Sequence, residues 1–131
     1  MEASVRIVAT AVLVLVLLPS APAARSEQAR LDKAVDLLQQ QSQTGKGEFI
    51  AFINAAGSAY SWVNAELETK DAGHRLFCPP PGKSLTSRDY AHIAVAEYKK
   101  AKHDYVQRTE YPLDVLSLAL LRGLQDTFPC K

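Results

Sequence analysis

The hydrophobic pattern first becomes helical after Ser26, whose hydroxyl suits the N-cap position because it can accept a backbone N–H. The apolar positions that follow are spaced as i, i+3, i+4 and i+7, and they form one stripe: Leu31, Ala34, Val35 and Leu38. A glutamine-rich run then leads to Gly45 and Gly47, which are typical of a helix C-terminus. The pattern predicts one amphipathic helix between Ser26 and this glycine pair.

A second helix is predicted to begin near Glu48. Its apolar face is expected to consist of Phe49, Phe52, Ile53, Ala56, Tyr60, Val63 and Leu67. Gly57 lies within this helix, where glycine costs about 1 kcal/mol relative to alanine, so we expect it to permit a close helix crossing. Trp62, the one tryptophan, is expected to pack at the edge of the core with its N–H directed to water or to a carbonyl.

Two further helices are predicted in the second half of the chain. Thr86 and Asp89 have the spacing of a capping box, which favours a helix from Ser87 to beyond His103. The first half of that helix is nearly all apolar, so we expect it to be buried on several sides. The last helix should begin with proline at its first position, after Tyr111, and end before Pro129.

The connection between the second and third helices is polar at first and then rich in proline. The later part of the segment from residue 66 to 75 is mixed in charge, contains a glycine and is expected to be an exposed loop. Pro79, Pro80, Pro81 and Gly82 follow Cys78, and we interpret them as a rigid extended spacer rather than as a proline-rich ligand motif. No alternating strand pattern and no internal repeat is present, so the sequence predicts an all-α domain, a small bundle of four to five helices.

The first segment has the pattern of a secretory signal peptide. Arg6 precedes an apolar stretch from Ile7 to Leu18, and Ala21 and Ala23 are small residues at the positions that a signal peptidase reads. This stretch of twelve residues, apolar except for Thr10, is too short to span a bilayer, so we expect no stable membrane span after cleavage. The predicted organisation is a signal peptide at residues 1–23 and a helical domain at residues 24–131, exported to the periplasm.

The two cysteines, Cys78 and Cys130, are predicted to form a disulfide, because an even cysteine count behind a signal peptide favours oxidation. Closing a loop of about fifty residues should stabilise the fold by roughly 4 kcal/mol through chain entropy. A metal site or a catalytic thiol is the alternative, but no CxxC or HxxxH pattern accompanies the cysteines, and two thiols alone do not make a zinc site. We therefore expect one disulfide that closes the bundle, with no metal and no cofactor.

Charge and motifs do not favour nucleic-acid binding or catalysis. The predicted signal peptide removes one base, Arg6, and one acid, Glu2, so the net charge stays at +1 and supplies no strong field for nucleic acid or an anionic membrane. The sequence contains no GxSxG, HExxH, P-loop or GxGxxG motif. His74, His92 and His103 are not helical neighbours, and we do not expect an enzyme.

One ordered set of motifs resembles a known family. The set comprises the signal peptide, an aromatic helix with small residues, Phe77-Cys78-Pro79, a helix led by Leu85-Thr86, an alanine- and leucine-rich last helix, and Phe128-Pro129-Cys130. From Phe49 to Cys130 this chain is similar to the Rap/Tai-type immunity proteins, in which the two cysteine-containing motifs are the most specific feature. Members are small helical periplasmic proteins that neutralise peptidoglycan-amidase effectors delivered by type VI secretion.

The resemblance implies a binding protein without a cofactor, often a homodimer, that pushes a loop into the active-site cleft of its cognate effector. Carried onto this chain, the expected partner-binding loop is the polar segment that precedes Cys78. Its candidate residues are Glu68, Lys70, Asp71, His74 and Arg75. Anchoring this loop beside a disulfide would lower the entropy cost of ordering it on binding.

Two other classes of function remain open from the sequence. A small periplasmic stress protein that acts as an acid chaperone would also be helical, small and closed by one disulfide. An accessory subunit of an envelope complex is the other alternative. Binding of an effector distinguishes the immunity protein from both.

Overall fold

Five helices make up the structure, a computed structural model that describes residues 22–70 and 73–131. In chain order they are α1 (Pro22–Thr44), α2 (Glu48–Lys70), α3 (Ser87–Lys100), α4 (Lys102–Tyr105) and α5 (Pro112–Thr127). The described residues contain no strand, so the prediction of an all-α bundle is confirmed. Most of the predicted signal peptide, residues 1–21, lies outside the described residues.

Helix α3 is the centre of the bundle and packs against α5, α2 and α1. Tyr90, Ala91, Ala94 and Tyr98 are all buried along it, which confirms the prediction of burial on several sides. The predicted capping box is also present: Asp89 N–H donates to Thr86 Oγ1 over 3.3 Å, and Thr86 N–H donates to Asp89 Oδ2 over 2.8 Å. The hydrogen bonds from Thr86 lower the pKa of the Asp89 carboxyl.

Helix α1 begins earlier than the sequence indicated. Its first described residue is Pro22, so Ser26 lies inside the helix and the prediction of an N-cap at Ser26 was wrong. Alanine, arginine, glutamate and glutamine all favour helix, which lets it extend towards the N-terminus, and proline is well suited to a first turn. The predicted cleavage after Ala23 therefore falls in the first turn of α1.

The glycine stop predicted for the first helix is present in the turn between α1 and α2. Gly45 adopts a left-handed φ of 69° and its N–H donates to Gln41 O over 2.8 Å, which ends α1 as expected. The Gln41 side chain then accepts N–H groups of Phe49 and Ile50 at 2.9 and 3.1 Å. A glutamine from α1 thus caps the first turn of α2, whose leading N–H groups have no partner within their own helix.

A polar contact joins α1 to the end of α3 and to α4. Tyr98 donates its hydroxyl to Asp32 over 2.7 Å, and Lys102 Nζ donates to the same carboxylate over 3.0 Å. Burial alone would raise the pKa of Asp32, but the bonds from Lys102 and Tyr98 outweigh it and lower that pKa. The contact therefore contributes stability above the ordinary carboxyl pKa, and this stability is lost as the pH falls through the lowered pKa.

Helix α2 packs closely on α3 through Gly57, as predicted. A Cβ at this position would lie 2.5 Å from the Tyr90 ring, and Ser61 Oγ lies 3.1 Å from the Tyr90 hydroxyl. The predicted apolar face is only partly right, because the buried positions of α2 are Ile50, Ile53, Gly57 and Asn64. Val63 is 46% exposed and Trp62 is 77% exposed, so the expectation that Trp62 packs at the core edge was wrong.

The predicted third helix is divided at Ala101. Helix α3 ends at Lys100, Ala101 has φ −115° and ψ 32°, and the short α4 follows in a new direction. This break brings Tyr105 into the core, where its hydroxyl donates to the buried Glu97 over 3.1 Å. The last helix agrees with the prediction at both ends, since Pro112 is its first residue and it stops at Thr127.

Gly57→Ala is expected to lower the free energy of unfolding. The new methyl group would overlap the buried Tyr90 ring, and the overpacking cost of about 1–3 kcal/mol should exceed the gain of about 1 kcal/mol from the helix propensity of alanine. Thermal and urea denaturation measure the change. The neighbouring exposed Ser58→Ala serves as the control, and a Gly57→Ala protein that melts higher than the wild type would contradict the close crossing.

Candidate partner-binding surface

The segment between α2 and α3 is tied covalently to the end of α5. Cys78 and Cys130 form the predicted disulfide, with their Cα atoms 5.0 Å apart and a sequence separation of 52. Beside it, the Cys78 N–H donates to Phe128 O over 2.7 Å. The Phe-Cys-Pro and Phe-Pro-Cys motifs therefore lie against each other, with Phe77 buried in the core and Cys130 exposed.

Asn64 of α2 fixes the same segment through its side-chain amide. Its Oδ1 accepts the N–H groups of Leu76 and Phe77 at 2.6 and 3.3 Å, and its Nδ2 donates to Phe77 O over 2.5 Å. Asn64 is 8% exposed, so these backbone groups would lack partners without it. The sequence analysis missed this role; the available signal was a polar residue on the same helical face as Ile53 and Gly57.

The proline run forms a turn that protrudes from this fixed base. Lys83 N–H donates to Pro80 O over 3.1 Å, and Gly82 has a positive φ of 78°, as the third position of a type II turn requires. Lys83 Nζ lies 5.6 Å from the centroid of the Phe128 ring. The segment is thus held at Phe77, at Cys78 and through Lys83, in agreement with the interpretation of a rigid spacer.

The five candidate residues are divided between a helix end and the loop. Glu68 and Lys70 lie on the last turns of α2, because that helix continues to Lys70 and the loop begins later than expected. His74 and Arg75 lie in the loop and are exposed, whereas Asp71 is outside the described residues. The four described candidates therefore do not lie on one loop: two belong to a helix and two to the loop that follows it.

Salt bridges pair two of the candidates with each other and pair a third with a residue outside the candidate set. Arg75 Nη2 lies 2.8 Å from Glu68 Oε1 and joins the loop to the helix. Lys70 instead pairs with Glu66, over 2.6 Å, one turn back along α2. All four side chains are substantially exposed, so each pair stabilises the fold little and can exchange its partner for a group on another protein.

An open cavity of about 590 Å³ lies between the loop and the C-terminal tail. It is lined by Gly73, Arg75, Cys78, Pro79, Pro80, Pro81, Pro129, Cys130 and Lys131. Its walls combine proline rings with two cationic side chains, Arg75 and Lys131.

Titratable groups elsewhere are dispersed or used in packing. Within residues 22–70 and 73–131 there is no group of three His, Cys, Asp or Glu side chains that could hold a metal ion. His92 lies on α3 and His103 on α4, away from His74 in the loop. No helix of this part of the chain is long and apolar enough to cross a membrane.

Comparison with known proteins returned no match: no family model, no curated protein and no solved structure matches this chain. The description of the candidate partner-binding surface therefore rests on the residues of this chain alone. Its defining elements are the Asn64 contacts, the disulfide, the proline turn and the exposed pair formed by Glu68 and Arg75.

Asn64→Ala is expected to loosen the loop selectively. Three backbone groups at Leu76 and Phe77 would lose their partner, at a cost of about 1–3 kcal/mol for leaving buried groups unsatisfied. Faster hydrogen exchange at Leu76, Phe77 and Cys78 measures the effect. Asn54→Ala, an exposed asparagine on the same helix, is the matched control; equal exchange in the two variants would contradict the role given to Asn64.

Removing the disulfide is expected to lower the free energy of unfolding by roughly 4 kcal/mol, because the bond closes a long loop in the unfolded chain. The Cys78→Ser, Cys130→Ser double variant and the chemically reduced wild type should both show this loss in urea denaturation. Identical midpoints for the oxidised and reduced proteins would show that the bond contributes no stability.

Proposed function

We propose that this protein is a periplasmic binding protein that neutralises a peptidoglycan-amidase effector delivered by type VI secretion. The observation that carries the proposal is the joining of Phe77-Cys78-Pro79 to Phe128-Pro129-Cys130 by the disulfide and by the bond from Cys78 N–H to Phe128 O. These two motifs are the most specific part of the resemblance to the Rap/Tai-type immunity proteins. An oxidising compartment such as the periplasm is where such a disulfide persists.

Neutralisation by this mechanism requires no catalytic group on the inhibitor. A loop that fills the cleft of the effector excludes its substrate, and affinity depends on how little the loop must be ordered on binding. Asn64 and the disulfide hold the backbone at Phe77 and Cys78 before any partner arrives. Preorganisation of this kind supports a role in tight occlusion of an active site.

The exposed charges near the loop would select the partner. Glu68 and Arg75 form a solvated pair, and Lys70 pairs with Glu66 nearby, so both signs of charge are presented over a short distance. Complementary charges around an enzyme cleft would steer the encounter and fix its register. The proposal includes a homodimer, as the resemblance implies, and does not include nucleic acid or a cofactor.

A pull-down tests the proposal directly. The oxidised protein is expected to capture a small cell-wall amidase encoded beside its gene and to abolish the activity of that enzyme on peptidoglycan. Alanine at Lys70, Asp71, His74 and Arg75 together is expected to weaken the complex at least roughly tenfold, the size of effect that interface centres show.

A control variant replaces the same four residue types by alanine, at exposed positions outside the loop. It carries alanine at Arg25, Lys33, Asp36 and His103. Unchanged affinity in the loop variant would remove the loop from the interface, and equal weakening in the control would attribute the effect to net charge. Failure to capture any amidase from the products of neighbouring genes would reject the proposed function itself.

A further inference from the structure

The disulfide is accessible to solvent from the side of Cys130. Cys130 is exposed, and so are its neighbours Pro129 and Lys131, whereas Cys78 is half-buried. Both cysteines line the open cavity of about 590 Å³ between the loop and the C-terminal tail. Exposed disulfides are commonly the ones that exchange with thiols, because the rate depends on access to a sulfur atom. The cavity gives a thiolate a path to the sulfur of Cys130.

The charged side chains that line this cavity are positive. They are Arg75 and Lys131, and the described residues contribute no Asp or Glu side chain to the lining. Glu68 pairs with Arg75 over 2.8 Å but does not line the cavity itself. Cations favour the thiolate form of a nearby sulfur, both in an incoming nucleophile and in a leaving group. The surroundings of the disulfide therefore favour thiol–disulfide exchange as well as access.

The backbone beside Cys78 is held by contacts that do not involve sulfur. The Cys78 N–H donates to Phe128 O over 2.7 Å, and the side chain of Phe77 is buried in the core. Asn64 holds both backbone groups of Phe77. These contacts can persist when the disulfide opens, so the two sulfur atoms stay close together and the bundle need not unfold for the bond to exchange.

We propose that this disulfide is an exchange site for a dithiol protein of the thioredoxin class, which attacks Cys130 through the cationic cavity. The attacking thiolate forms a bond to Cys130 Sγ, and Cys78 leaves as a thiolate. The second thiol of the partner then attacks the partner's own sulfur in the mixed disulfide and releases Cys130. Two electrons pass to this chain, the partner becomes a disulfide, and the two thiol protons of the partner are transferred to Cys78 and Cys130.

The fixed position of Cys78 explains why the partner must carry two thiols. Its displaced sulfur remains next to the mixed disulfide and would expel a monothiol by the reverse reaction, as a group held in place reacts faster than one in solution. A dithiol completes the exchange because its second sulfur is held equally close. Cys130 Sγ also lies 3.9 Å from Arg75 O, which can accept the S–H group of the reduced protein.

Reduction is expected to alter one end of the molecule. Pro129, Cys130 and Lys131 lose their covalent attachment to the loop, whereas the bonds from Asn64 remain. One wall of the cavity beside the partner-binding loop is then held less firmly, so exchange would regulate that surface. This consequence rests on the proposed function, whereas the exchange itself is measured on this protein without an effector, so the two can fail separately.

The first test follows reduction of the oxidised protein by dithiothreitol, with alkylation and mass measurement at each time. The rate is expected to rise in proportion to the dithiothreitol concentration and to stay constant in urea below the unfolding transition, because the native bond is attacked directly. A rate that saturates with dithiothreitol, or that rises with urea, would show that the bond is reached only after opening of the structure and would overturn the proposal.

The second test identifies the sulfur that is attacked. A thioredoxin-class protein whose second active-site cysteine is replaced by serine cannot complete the exchange and should remain attached to Cys130, as peptide mass measurement would show. Glutathione, a monothiol, should leave most of the protein oxidised at the same thiolate concentration. Attachment to Cys78, no attachment, or reduction by glutathione at the rate of the dithiol would each overturn the proposal.

The third test measures the part played by the cavity. Replacing Arg75 and Lys131 together by glutamine is expected to slow reduction by the thioredoxin-class protein at least roughly threefold, because the cations that favour the thiolate are removed. The matched control replaces Arg25 and Lys46, which are exposed elsewhere, and changes the net charge equally. Both variants are checked by circular dichroism, and equal rates in the two would overturn the proposal.

Discussion

The link between Cys78 and Cys130 is the constraint on which the second half of the structure depends. Residues 73–86 contain no helix of their own, and without the link the loop would be held to the bundle mainly by Asn64 and Phe77. With it, the start of the proline turn is joined covalently to the segment that follows α5. The Cys78 N–H bond to Phe128 O and the contact of Lys83 with the Phe128 ring extend the junction beyond the sulfur atoms.

The interior of the bundle is organised by α3, and the other helices differ in how they attach to it. Helix α2 contacts it through Gly57 at the Tyr90 ring, where close packing depends on the absence of a side chain. Helix α1 attaches through apolar packing and through Asp32, whose lowered pKa makes part of that attachment sensitive to acid. The acid-sensitive contact lies at the opposite end of α3 from the Thr86 and Asp89 capping box.

The proposed partner-binding surface joins the C-terminal end of α2 to the loop that follows it. Asn64 and the disulfide hold the backbone at Phe77 and Cys78, next to the exposed His74 and Arg75, so recognition at this surface would rest on charge and on a fixed base.

Local chemistry was sufficient to predict much of the fold. The apolar stripe of α1, the glycine stop, the capping box at Thr86 and the proline start of α5 each depend on residues within one or two turns, so the sequence carries them directly. The disulfide was predictable because only two cysteines exist and the chain begins with a secretory pattern. Of the candidate site, the exposed setting of His74 and Arg75 was predictable from their polar neighbourhood.

The remaining features depend on which surfaces meet in three dimensions. Apolar residues occur on every side of α2, so its periodicity assigned Val63 to the core face and Trp62 to the core edge, although both are exposed. The break at Ala101 allows Tyr105 of α4 to donate to Glu97 of α3 in the core, a contact that the uninterrupted helical pattern did not indicate. The sequence alone determined which segments become helical and where most of them stop. Packing around α3 decided which face of each helix is covered, because burial depends on neighbours that are distant along the chain.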